Sequence, residues 1–349
     1  MTACVTVGNR PIGAGYPPFI VAEMSANHGG SLERALAVME AATAAGADAV
    51  KLQTYTADTM TIDHDGPDFR IVGGLWDGRT LHALYQEAHT PWEWHHALFA
   101  KGRELGIAVF STPFDESAVD FLESLDPPAY KIASFELVDL PLVRRVAATG
   151  KPVVMSTGMA SPEEIGESIK EFHAAGGEDL ILLHCVSGYP TPVEQSNLQR
   201  IPRLAAQFGY PVGLSDHTLG IEVAIASVAL GACLIEKHFT LCRADGGPDA
   251  AFSLERDELA QLVVGTKAAF AALGTGAAGR AAVEQASMAF RRSLYVVRDV
   301  AKGEVFTTDN VRIIRPGYGL PPKELPKVLG RRAARAACRG DRLSWDLIA

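Results

Sequence analysis

Short apolar runs rich in β-branched residues alternate along the chain with longer stretches of helical periodicity. The runs are FIVAEM (19–24), AVKLQTY (49–55), AVFSTP (108–113), YKIAS (130–134), VVMSTG (153–158), LILLHCV (180–186), VGLSDHT (212–218) and LIEKHFT (234–240). Between them lie segments such as SLERALAVMEAATAAG and SPEEIGESIKEFHAAGG. These open on Ser, carry Glu in the first turn and end in Gly, which are helix start and stop signals. Strand–helix alternation predicts parallel strands joined by right-handed crossovers. Eight such strands in a row predict a closed (β/α)₈ barrel; an open doubly wound sheet is the alternative, but no GxGxxG follows the first strand.

One connection stands out. Residues 56–91 show no simple helical pattern and follow the second strand, on the face where barrel active sites lie, so the segment is expected to cover the site in part. After a last helix near 255–272 the small, polar stretch 273–289 reads as a linker. Residues 290–349 change character: short strands and turns with no long helix predict a second domain of marginal size on its own. The expected layout is therefore a barrel over 1–272, a linker over 273–289 and a small domain over 290–349.

Composition narrows the function classes. A chain of 349 residues with 48% apolar side chains can build a large core, and its formal charge of −9 disfavours nucleic acid and anionic lipid as partners. No apolar run approaches a bilayer span, and the first ten residues lack the order of a secretory signal, so a cytoplasmic location is expected. Five scattered cysteines without a CxxC read as reduced thiols.

Functional side chains of a barrel sit at the C-terminal ends of its strands. Those ends carry Glu23, Lys51 and Gln53, Thr112, Lys131 and Ser134, Ser156, Ser187 and Tyr189, Ser215 and His217, and Glu236 and His238. Lys51/Gln53, Ser215/His217 and Glu236/His238 are each two apart, so each pair shares a strand face; Lys131 and Ser134 differ in parity, so one of them lies beyond regular strand or faces outward. Two lysines among several hydroxyls make an anion site, lysine supplying point charge and Ser or Thr directional bonds. His217 and His238 end the last two strands, and a pair of imidazoles from neighbouring strands can hold one divalent ion while leaving positions open. Two nitrogens without a thiolate suit Mn²⁺, Co²⁺ or Zn²⁺, among which the sequence does not choose. Glu23 is open to three readings: a base, a water-positioning group or a lysine partner. His28, just past it, is a further candidate for lining the site.

At these residues the chain resembles the sialic acid synthase family. The resemblance runs in order through AEMSANHGGS, GADAVKLQTY, FSTPFD, PAYKIAS, MSTGMAS, LLHCVSGYPTP, GLSDHT, ALGACLIEKHFT and GGPD, and then RPGYGL in a C-terminal domain that in this family looks like type III antifreeze protein. It implies a barrel followed by an antifreeze-like (SAF) domain, and condensation of phosphoenolpyruvate with an amino-sugar aldehyde. It also implies roles. Lys51, Thr112, Lys131, Ser134, Ser156 and Ser215 would bind phosphoenolpyruvate; His217 and His238 would hold the metal, with Mn²⁺ first; Glu23 would be the catalytic carboxylate. Gln53, Tyr189 and Asp249 would contact the sugar, and Arg315 would reach its acyl group from a partner subunit in a domain-swapped homodimer.

The sequence departs from the N-acetylneuraminate synthases of that family in AEMSANH, in Ser187 where they have Asn, and in Phe135 where they have Gly. Phe135 and Ser187 are therefore expected beside the sugar, and a bulky apolar Phe there suits a deoxygenated one. With KLQTYTADTM, TPWEWH, KIASFE and RRSLY, these features resemble the pseudaminic acid synthase branch, which implies 2,4-diacetamido-2,4,6-trideoxy-L-altrose as substrate; legionaminate and N-acetylneuraminate synthesis are the alternatives. Two other classes compete. A metal-dependent pyruvate aldolase needs no phosphate cradle, and an ice- or sugar-binding protein would not crowd its small domain with arginines.

Overall fold

The computed structural model describes residues 4–349 as two compact units, residues 4–274 and 275–349. The first opens with a hairpin, β1 (Val5–Val7) and β2 (Arg10–Ile12). Eight parallel strands follow: β3 (Phe19–Glu23), β4 (Ala49–Thr54), β5 (Ala108–Pro113), β6 (Tyr130–Ile132), β7 (Val153–Ser156), β8 (Leu180–Cys185), β9 (Val212–Asp216) and β10 (Leu234–His238). They close in chain order, β10 pairing with both β9 and β3, so the barrel is complete. All eight apolar runs of the sequence became barrel strands.

The period of two along each strand sorts the side chains into two layers. One set, including Ile20, Ala22, Val50, Leu52, Ile132 and Ile235, packs outward against the helices. The alternate set, including Phe19, Val21, Phe110, Val154, Leu183 and Leu234, fills the barrel interior together with Val5, Val7 and Ile12 of the hairpin. The hairpin thus closes the N-terminal end of the barrel. Continuing the inner set toward the C-terminal ends gives Glu23, Lys51, Gln53, Thr112, Lys131, Ser156, Ser215, Glu236 and His238: the interior turns from apolar to polar along its axis.

The helices are capped as their sequences suggest. Ser161 accepts from Glu164 N, and the Glu164 side chain accepts from Ser161 N in return, a reciprocal capping box ahead of Pro162–Ala174. The segment 56–91 corrects the expectation of no helix. It holds a single turn, Ala57–Met60, and a two-turn helix, Leu81–Ala88, whose N-cap Thr80 accepts from Ala83 N. That helix buries only Leu84, so it lacks the apolar stripe by which helices are read from sequence. Among the described residues, no helix is long and apolar enough to cross a membrane.

The second unit has its own core, built on Leu294, Val296, Phe306, Val311, Val328 and Leu343. Its regular strands are β11 (Ser293–Val296) and β12 (Val311–Ile314), paired antiparallel. The stretch expected as a plain linker carries short 3₁₀ turns, Ala282–Glu284 and Ala286–Phe290, and most of it, from Thr275 on, groups with this unit.

Candidate active site

Four charged side chains meet inside the polar end of the barrel, all of them buried. Glu23 and Lys51 are register partners on β3 and β4, and Lys51 Nζ lies 2.8 Å from Glu23 Oε2. Lys131, on β6, donates to both oxygens of Glu236 at 2.8 Å from across the barrel. Lys51 Nζ is 3.8 Å from Glu236 Oε2, which joins the two pairs into one cluster of two cations and two anions. Hydroxyls and an amide complete it. Lys51 donates to Thr112 Oγ1 (3.1 Å), Ser215 to Glu236 Oε1 (2.9 Å), and Gln53 to Glu23 Oε1 and Ser25 Oγ (2.9 Å each). Ser156 Oγ is buried beside them with no hydrogen-bond partner.

The two carboxylates are pushed in opposite directions. Burial raises Glu23 to about 6, because Lys51 offsets only part of the desolvation and Glu236 adds repulsion. Burial would raise Glu236 too, but Lys131 and then Lys51 overcome it and hold the group at about 2. Glu236 is the member of this cluster to which the sequence assigns no role. The signal was present, since it stands two residues before His238 and so on the same strand face. What sequence could not supply was its bidentate contact with Lys131, 105 residues away.

Nearer the mouth stand the histidines, with ring centroids 5.4 Å apart. His217 Nδ1 donates to Val186 O at 3.1 Å; burial lowers the pKa of this imidazole, but Cys185 and Val186 outweigh it and raise it above 6.5, so a metal would have to displace a proton there. His238 Nδ1 is buried without a hydrogen-bond partner, and Asp249 Oδ2 lies 3.9 Å from it. Burial, then the neighbouring His217, hold the His238 pKa well below 6.5, in the neutral form a metal requires. His217 and His238 are therefore the residues that would hold one divalent ion. Among the described residues no cluster of three or more His, Cys, Asp or Glu has ligating geometry, so any further ligands would be water or substrate.

The remaining candidates sort by position. Tyr189 lies 4.4 Å from the His217 ring and 5.4 Å from Phe252, which in turn is 4.9 Å from His238. Of the two residues that differ in parity, Ser134 is the one beyond regular strand, past the end of β6; its Oγ accepts from Gly158 N. A Cβ on Gly158 would fall 2.6 Å from Ser187 Oγ and 2.7 Å from Ser134 Oγ, so both hydroxyls crowd one bare backbone position. Phe135 is 57% exposed and contributes no packing to the polar cluster. His28 ends the 3₁₀ turn Ser25–His28 after β3 and is buried edge-on against Trp94, with Nδ1 accepting from Gly30 N. Arg315 is an exposed residue of the second unit.

A closed parallel barrel whose C-terminal strand ends carry a buried ionic cradle and a histidine pair is the arrangement of a barrel enzyme. The chain belongs to the NeuB family, whose model matches residues 38–278, and a SAF domain matches residues 291–349. It is 46% identical to the pseudaminic acid synthase of Campylobacter jejuni over 93% of this chain and 95% of that one. It is 42% identical to the pseudaminic acid synthase of Helicobacter pylori over 95% and 97%. Among solved structures, the N-acetylneuraminic acid synthetase of Leptospira borgpetersenii in complex with citrate superposes with a TM-score of 0.74 at 34% identity, covering 82% of this chain and 96% of that one.

Proposed function

We propose that this chain is a pseudaminic acid synthase, a transferase that joins phosphoenolpyruvate to 2,4-diacetamido-2,4,6-trideoxy-L-altrose and releases phosphate. The likeness to two pseudaminic acid synthases, end to end, supports the substrate; the paired lysines with an unsatisfied Ser156 hydroxyl beside them support the anion. In this reading Lys51, Thr112, Lys131, Ser134, Ser156 and Ser215 bind phosphoenolpyruvate. Each lysine already has a carboxylate partner, so the incoming anion enters a site that is neutral as it stands, and shares its cations with Glu23 and Glu236. Such fixed charges act strongly in a cavity closed to water. His217 and His238 would hold a divalent ion, Mn²⁺ in our reading, which when bound polarises the sugar aldehyde as a Lewis acid.

The enol carbon of phosphoenolpyruvate then forms the new bond to the aldehyde carbon, water adds at the resulting cationic C2, and C–O cleavage releases phosphate. Glu23 accepts or directs the proton of that water, a role its Gln53 and Lys51 contacts orient it for. Gln53, Phe135, Ser187, Tyr189 and Asp249 are assigned to the sugar. Chelator-treated enzyme is expected to lose activity and regain it with a divalent ion, and His238→Ala to lose metal and activity together. Mass spectrometry of the product from phosphoenolpyruvate and a panel of amino sugars tests the whole reading. A nonulosonic acid from N-acetylmannosamine in preference to the altrose would refute the substrate and keep the chemistry.

The layout we propose keeps a catalytic barrel over 1–272, a linker over 273–289 and a SAF domain over 290–349, in a cytoplasmic homodimer where Arg315 serves the partner's barrel. Co-expressed Glu23→Ala and Arg315→Ala chains should then recover about half the wild-type activity in a two-tag-purified heterodimer, since one of two crossed sites is intact. Activity no higher than the parents' would rule the crossing out.

A further inference from the structure

Within the long connection after β4, residues 70–80 form a finger. Arg70 bridges antiparallel to Thr80, Ile71 N donates to Arg79 O, and Gly78 N donates back to Ile71 O, both at 2.9 Å. The tip turns through Gly73, Gly74 and Gly78, at φ +80°, +73° and +80°, a backbone that side chains with a Cβ disfavour. Besides Ile71, three apolar residues ride on it. Val72 and Leu75 point to solvent, 91% and 48% exposed, while Trp76 is half-buried.

Trp76 is turned toward the barrel mouth. Its Nε1 donates to Pro248 O at 3.0 Å, tying the finger to the segment after β10 that carries Asp249. Its ring stands 5.8 Å from Tyr189, tilted by 46°. Since Tyr189 is itself 4.4 Å from His217, Trp76 is the outer end of an aromatic wall that begins at the histidine pair. The polar edge of the indole is spent on Pro248. What it can still offer a ligand is an apolar face, which rewards C–H groups and gives a hydroxyl nothing to bond.

We propose that Trp76 is a specificity-determining residue for the sugar, closing the outer end of its subsite against the deoxygenated, apolar part of the molecule. This rests on the functional reading above, which sets the aldehyde at the histidines and hence the 6-deoxy end away from them. The test compares wild type with Trp76→Ala and Trp76→Phe in steady-state kinetics, varying phosphoenolpyruvate and the sugar separately. Trp76→Ala is expected to raise the sugar KM by about tenfold or more while the phosphoenolpyruvate KM stays within about twofold, and Trp76→Phe to recover most of the loss. The preference for the trideoxy sugar over N-acetylmannosamine should shrink in Trp76→Ala, with an unchanged melting midpoint. A sugar KM unaltered in Trp76→Ala, or both KM values raised alike, overturns the assignment and leaves the enzyme's reaction as proposed. A wild type that condenses phosphoenolpyruvate with none of the aldehydes overturns the functional reading, and Trp76 with it.

Discussion

Two buried ionic groups sit on opposite faces of the same strands, β9 and β10. On the outer face Lys237, fully buried, donates to Asp216 Oδ2 at 2.8 Å and to Thr218 O, while Asp216 Oδ1 accepts from Thr218 N. On the inner face Glu236 binds Lys131 and Ser215, Lys51 is shared between two carboxylates, and Ser156 Oγ and His238 Nδ1 have no partner. The outer pair satisfies both carboxylate oxygens locally, although the Thr218 hydroxyl beside it is buried without a partner. The inner cluster is left open where a ligand would bind. Burial of charge is common to both; the outer pair is a closed exchange between two side chains, while the inner cluster shares Lys51 between two carboxylates and stands beneath a histidine pair.

The comparison can be broken by cutting each group in turn. Lys237→Met strands the Asp216 carboxylate among helices, so a loss of about 3–5 kcal/mol in chemical denaturation is expected, with kcat/KM of the folded enzyme nearly unchanged; the double variant Lys237→Met/Asp216→Leu should recover most of that stability. A large fall in kcat/KM for a stable Lys237 variant would erase the distinction. Lys131→Met, on the inner face, is expected to cost about 2–5 kcal/mol of transition-state binding, a 10- to 10³-fold or larger fall in kcat/KM for phosphoenolpyruvate. No double variant with Glu236 should rescue it.

A smaller effect separates the two inner carboxylates. Glu23 has its pKa raised to about 6 from the ordinary 4.5, so the folded state binds that proton more tightly and ionisation costs stability. Relative to Glu23→Gln, wild type should lose about 2 kcal/mol as pH rises from 4.5 through 6. Glu236, held at about 2, runs the other way: its contribution is present above pH 4.5 and is lost as pH falls toward 2. Denaturation curves of wild type and Glu23→Gln that stay parallel from pH 4 to 7 would contradict the assignment. The smallest effect is expected at Phe135. Being largely exposed, it can lend the sugar only partial burial, and Phe135→Gly should change sugar kcat/KM by less than about tenfold.

The fold was legible because the barrel writes itself twice. Each strand shows an apolar run, and on most of them the inward position near the end switches to a polar residue, so period two alone collects Glu23, Lys51, Gln53, Thr112, Ser215 and His238. Lys237 shows what period two adds: it neighbours two site residues in sequence, yet its parity sends it to the helix layer. The remainder was hidden for distinct reasons. Leu81–Ala88 buries one side chain and so carries no stripe. Glu236 has no sequence-local partner. Trp76 looks like any exposed loop aromatic until Pro248, 172 residues on, is found beside it.

The hairpin that seals the N-terminal end of the barrel gives the reaction a direction of traffic. Val5, Val7 and Ile12 pack with the inner apolar set, so the N-terminal end of the barrel is filled and the polar end is left as the way in. Glu236 precedes His238 by two residues, so the ionic cradle lies about 6–7 Å deeper than the histidines along β10. A guest that belongs at the bottom of a dead end has to be admitted first. On the proposed assignment of the cradle to phosphoenolpyruvate and of the histidines to the sugar aldehyde, phosphoenolpyruvate is expected to enter ahead of the sugar, which initial-rate kinetics would show as a compulsory order of addition with inhibition by excess sugar.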